Sequence, residues 1–95
     1  MKMSFNRLME GVLLIHLSGE WRIGEDPPSF KEIQNQLVSE TDIRKVSFDS
    51  KDLTRWDSSL LILVKKINTL CSENNIYLDR EGLPKGAKRL LELAT

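Results

Sequence analysis

The sequence is poor in the residues that do covalent and metal chemistry. It has one histidine, His16, and one cysteine, Cys71. One of each does not supply the four ligands of a structural zinc site without several carboxylates. A Ser-His-Asp or Cys-His arrangement would have to be built on His16 alone. His16 stands inside the apolar run VLLIHL, residues 12–17, and reads as a half-buried or edge-facing structural residue. Cys71 has no second thiol to pair with, which suits a reducing, cytosolic setting, and it reads as a small buried hydrophobe. Neither G-x-G-x-x-G nor G-x-x-x-x-G-K-[ST] occurs, so the usual phosphate cradles are missing. The carboxylate pairs Glu25-Asp26 and Asp49/Asp52 fit solvated turns and caps. No catalytic residue, metal ligand or cofactor is expected, and the chain does not read as an enzyme.

Charge of one sign is also lacking. Fourteen basic residues balance fourteen acidic ones, which argues against a general nucleic-acid binder or broad attraction to anionic lipid. A net charge near zero gives little colloidal repulsion. The longest uninterrupted apolar run is Leu60–Val64, against the ~20 residues that span a bilayer. The N-terminus has no apolar stretch or small-residue cleavage site. The expected location is the cytoplasm, or the cytoplasmic face of the inner membrane if the chain is part of a larger protein. The end just after a helical pattern, at Ala94-Thr95, would suit an excised soluble domain.

What is present is one domain's worth of alternating elements. With 95 residues the chain is expected to hold a single core over residues 1–95. Ser4–Met9 alternates weakly and suits an edge strand, followed by a turn at Glu10-Gly11. Val12–Leu17 suits a buried strand, broken by Ser18-Gly19. Asp26-Pro27-Pro28 is a helix start, with Asp26 as N-cap. Phe30, Ile33 and Leu37, with Val38 beside them, then give one apolar helical face. Val46–Phe48 is a strand ending near Asp49, and Asp52–Asp57 is a polar connector. A strong helix follows, with Asp57 as N-cap and Leu60, Leu63, Val64, Ile67 and Cys71 on one face. Leu61, Ile62 and Leu70 widen that face, which predicts a helix largely buried at its start. Asn74-Asn75 stops it. Ile76–Leu78 is expected to be a third interior strand. Pro84 opens a last helix whose apolar face is Ala87, Leu90, Leu91 and Ala94. The order β-β-α-β-α-β-α predicts an α/β fold: about four strands in a mixed, mostly parallel sheet, with about three helices packed on one face.

One polar cluster stands out. Asp57-Ser58-Ser59 sits where the long helix begins, at the positive end of its dipole. Simple N-capping by Asp57 or Ser58 accounts for it. A phosphoryl group added there would also meet free backbone N–H groups. Trp56, just before the cluster, suits a core or interface role.

The segment from Leu53 through Trp56, Asp57, Ser58 and Ser59 to Leu61 resembles the second-helix segment of STAS domains (sulfate transporter and anti-sigma-factor antagonist). Leu14–Trp21, LIHLSGEW, resembles that family's second strand and turn. Val46–Leu53 resembles the next strand, and Leu83–Ala94 the terminal helix. The resemblance covers about residues 12–94 and implies a single STAS-type domain, non-enzymatic, that regulates or binds a protein.

Within the family, Gly19-Glu20-Trp21 is similar to STAS domains of Mla-type lipid-transport ABC permeases. That resemblance implies contact with the ATPase subunit through Trp56, Asp57, Ser58 and Ser59, with Ser58 in the place of a functional threonine. The alternative it implies is an anti-sigma-factor antagonist whose partner is an anti-sigma-factor kinase, with Ser59 (or Ser58) as phosphoacceptor. Arg22 and Leu60 depart from the antagonist pattern, which usually has Asp and Gly there; Leu60 is expected to crowd a close backbone approach. A third reading is a domain that senses a nucleotide or small molecule.

Overall fold

A computed structural model of the chain describes residues 2–22, 30–39 and 42–94. The strands β1 (Lys2–Met9), β2 (Val12–Trp21), β3 (Lys45–Trp56) and β4 (Tyr77–Leu78) form one sheet in that spatial order. β1 pairs antiparallel with β2, whereas β2–β3 and β3–β4 are parallel. The helices α1 (Phe30–Ser39), α2 (Ser58–Glu73) and α3 (Lys85–Ala94) alternate with the strands. This is the β-β-α-β-α-β-α order the periodicities predict.

Period-2 alternation decides which face of the sheet is covered. Along β2, Leu13, Ile15 and Leu17 are buried, while Val12, Leu14, His16 and Ser18 between them are only half-buried. Val46 and Phe48 of β3 join the buried set, and the helices close over it with Ile33, Leu37, Leu60, Val64, Ile67, Cys71, Ala87 and Leu91. Among the described residues no polar or charged residue is buried. Each large apolar side chain so enclosed stabilises the fold by about 1.5–3 kcal/mol.

Two strands run longer than the sequence predicts. β2 passes through Ser18-Gly19 to Trp21, and β3 passes through the expected connector to Trp56. Bulges make this work: the β2–β3 register shifts between His16 and Ser18 and again between Gly19 and Glu20. Gly19 takes φ 79, a left-handed conformation that favours glycine. Beyond the second shift Trp21 pairs with Trp56. The Trp21 indole N–H donates to the Ser18 carbonyl at 3.0 Å and the ring is buried, so a large apolar anchor fixes a segment that looks like a turn.

β4 is short and lies at the edge of the sheet beside β3, not in its interior as expected, because no later strand follows to cover it among the described residues. The loop after it makes a close backbone approach to β3. A Cβ on Gly82 would lie 1.6 Å from the Phe48 carbonyl oxygen, and the Ser50 hydroxyl donates to the Gly82 carbonyl at 2.5 Å. The loop entering α3 is thereby pressed against β3. Two helical faces differ from expectation. Ile62 is exposed, so the first turns of α2 are not enclosed all round, and Leu90 of α3 is exposed at 46%. In both cases the residue is apolar but lies off the buried centre of its helix. The proposed N-cap at Asp26 with Pro27 and Pro28, and the side chains of Val38 and Ala94, lie outside the described residues.

Candidate partner-binding site

The turn between β3 and α2 is held from three directions. Asp57 N–H donates to the Trp21 carbonyl at 2.9 Å, tying the turn to the end of β2. Asp57 is extended at φ −140, ψ −157, and its carboxylate Oδ1 accepts the Ser59 N–H at 2.9 Å. Its carbonyl accepts the Leu60 N–H at 3.1 Å. Asp57 is thus the N-cap of α2, with its side chain on one of the otherwise unmet N–H groups of the first turn.

The two serines differ. Ser58 is exposed on the outside of the turn. Ser59 is half-buried, and its hydroxyl oxygen is shut off from solvent with no hydrogen-bond partner among the described residues. A buried hydroxyl left without a partner costs about 1–3 kcal/mol. Leu60, expected to crowd the backbone, is instead fully buried and points into the core.

Trp56 closes the far side. It is half-buried, and a Cβ on Gly86 would come within 3.1 Å of its Cζ2. The ring lies against the first turn of α3 where that helix has no side chain. Gly86 was not legible as part of this neighbourhood, because nothing in sequence spacing places α3 beside the end of β3. The structure therefore brings Trp56, Asp57, Ser58 and Ser59 onto one turn, with α3 as neighbour.

The residues that would matter to an enzyme lie elsewhere. His16 Nδ1 and Asp49 Oδ2 are 2.9 Å apart, each side chain about one-third exposed (35% and 33%). Asp49 Oδ1 also accepts the Lys51 N–H at 3.0 Å. That backbone hydrogen bond, followed by the contact with His16, holds the Asp49 carboxyl below its usual range despite some desolvation. Ser4 pairs with His16 in register, but no hydrogen bond joins their side chains among the described residues. Burial pushes the Cys71 thiol up to about 11, which keeps it protonated at neutral pH and so a poor nucleophile. No group of three or more His, Cys, Asp or Glu side chains suited to a metal ion occurs among the described residues.

No family model matches the sequence, and no curated protein matches it. The fold is similar to that of the Bacillus cell fate determinant SpoIIAA, solved in its phosphorylated form. The two agree with a TM-score of 0.70 over 98% of this chain and 83% of that one, at 11% sequence identity. The chain has a STAS fold: a four-stranded mixed sheet with three helices in the order the resemblance implied.

Proposed function

We propose that this chain is a non-enzymatic regulatory domain that binds a protein partner through the start of α2, and that phosphorylation of Ser59 or Ser58 switches the contact. This is the anti-sigma-factor antagonist reading, with an anti-sigma-factor kinase as partner and the cytoplasm as its place. The observation that carries it is the unequal state of the two serines on a capped, solvent-facing turn. Likeness in fold to a protein solved in a phosphorylated form supports the same reading.

The chemistry of the turn gives the switch a mechanism. A phosphoryl group on Ser58 adds about −1.5 to −2 charge at neutral pH beside the helix N-terminus without disturbing the core. On Ser59 it has no room where the hydroxyl now lies, and it repels the Asp57 carboxylate that holds the Ser59 N–H. Modification there requires the turn to open, and the modified turn presents a different surface. Incubation with an anti-sigma-factor serine kinase, followed by intact mass and by the same experiment on Ser58→Ala and Ser59→Ala, decides the matter. One added phosphoryl group, lost in one of the two variants, is expected; no added phosphoryl group overturns the reading.

The lipid-transport reading uses the same surface but has less support. The motif that suggested it has a structural account: Gly19 supplies a left-handed backbone, Trp21 fills the core, and Glu20 pairs with Arg22 at 2.6 Å. Among the described residues no helix is long and apolar enough to cross a membrane. Co-purification with an ABC ATPase subunit would restore that reading.

A further inference from the structure

The contact between Trp56 and Gly86 joins the start of α2 to a stripe of α3 that the core does not use. Ala87 and Leu91 face the core at 0% and 4% exposure, whereas Leu90 and Leu93 are 46% and 77% exposed. At about 3.6 residues per turn, Gly86, Leu90 and Leu93 fall on one flank of α3, beside the core face. The Trp56 ring marks that flank as the one turned toward the β3–α2 junction. On α2, Leu61 is only partly buried, one turn after Ser58. Lys66, Thr69 and Leu70 line the α1–α2 groove with Phe30, so helical spacing puts Leu61 and Lys65 on the other flank of α2, toward α3, which packs on it. Leu61, Leu90 and Leu93 thus border the seam between α2 and α3, which begins at the proposed switch.

Two cations flank the seam. Lys65 on α2 and Arg89 on α3 are exposed and make no ion pair among the described residues. Lys85 and Glu92, seven residues apart, share the face of α3 farther from the seam. A second copy of this chain is a poor occupant, because a two-fold interface would set these cations against their own equivalents.

We propose that the α2–α3 seam docks an amphipathic helix of the partner that carries acidic side chains beside an apolar face. This rests on the proposed function and extends its surface onto α3.

The test titrates the full chain, followed by backbone amide NMR, with a synthetic helical peptide bearing leucines on one face and glutamates beside them. A matching peptide with lysines for the glutamates serves as control. Shifts at the Trp56 indole N–H and at Leu61, Leu90 and Leu93 are expected with the acidic peptide alone. Binding is expected to weaken about ten-fold in Leu93→Gln and in Arg89→Glu, and again between about 50 and 300 mM salt. Both substitutions fall on exposed side chains, so folding is retained and is checked in the same spectra. Absent shifts, shifts confined to the α1–α2 groove at Phe30 and Lys66, equal binding of the lysine peptide, or concentration-dependent shifts without peptide each overturn the proposal. A chain that is phosphorylated at Ser58 or Ser59 but ignores the acidic peptide keeps its proposed function and loses this surface. A chain that binds the peptide but is never phosphorylated keeps the surface and loses the switch.

Discussion

The first turn of α2 and the open face of the sheet are built from the same polar residues, serine and aspartate, and they hold them differently. On the sheet, each oxygen of Asp49 has a partner: the Lys51 N–H on Oδ1 and the His16 ring on Oδ2. The pair joins β2 to β3 and leaves neither Asp49 oxygen unmet. On the turn, the Asp57 carboxylate is engaged with the Ser59 N–H, but the Ser59 hydroxyl behind it is buried without a partner among the described residues. A fully bonded polar group resists change, because any movement leaves something desolvated. An unbonded buried hydroxyl is relieved by movement. The one histidine thus sits in a bonded pair on the sheet, and the unmet polar group sits at a helix cap.

The largest effect that bears on this contrast comes from Leu60, which pins the turn to the core. Leu60→Gly, which puts the usual STAS residue at this position, empties a fully buried site and places glycine in a helix. The expected loss is about 4 kcal/mol, from the cavity and the helix propensity together, read by urea denaturation. A loss under about 1 kcal/mol would mean that the turn does not depend on its core anchor.

Asp57→Ala comes next. It removes the side-chain cap and leaves the Ser59 N–H unmet, for an expected loss of about 1 kcal/mol. Ser59→Ala goes the other way. It deletes a hydroxyl that has no partner among the described residues, and stability is expected to rise by up to about 1 kcal/mol, while Ser58→Ala on the exposed side changes little. Thermal melts of the three variants under one set of conditions separate these signs. A destabilised Ser59→Ala chain would show that the hydroxyl is bonded in solution and would erase the difference between the two regions.

Much of this was legible in the chain, and the exceptions share a cause. The order of elements, the Asp57 cap and the Asn74-Asn75 helix stop follow from local patterns, and the structure has them: Asn74 N–H reaches the Cys71 carbonyl and Asn75 takes φ 57. The long ends of β2 and β3 were hidden because bulges interrupt the alternation, and because Gly19 reads as a breaker when it is a bulge residue. Apolar character alone suggests burial for Ile62 and Leu90, whereas their angular offset from the helix centre leaves them outside. Asp57, Ser58 and Ser59 were legible as a cluster. The unlike environments of the two serines were not, since burial of the Ser59 hydroxyl depends on which elements close over the turn.

The smallest expected effect tests the sheet half of the comparison. The Asp49 carboxyl is held below the ordinary carboxylate range in the folded chain, chiefly by the Lys51 N–H and then by His16. Between the folded and unfolded pKa values the unfolded state binds more protons, so stability rises with pH through that window. The contribution is fully present above about pH 4 and is lost as pH falls through the folded pKa. Asp42, held down by Arg7 at 3.3 Å, acts in the same direction. Asp49→Asn removes one of the two titrations and should flatten the acid limb of the stability curve without moving its neutral plateau far. Urea midpoints collected from about pH 2.5 to 7 read this directly. An unchanged acid limb would mean that the Lys51 and His16 contacts do not favour the ionised carboxylate in solution, and the open face would then be no better bonded than the turn.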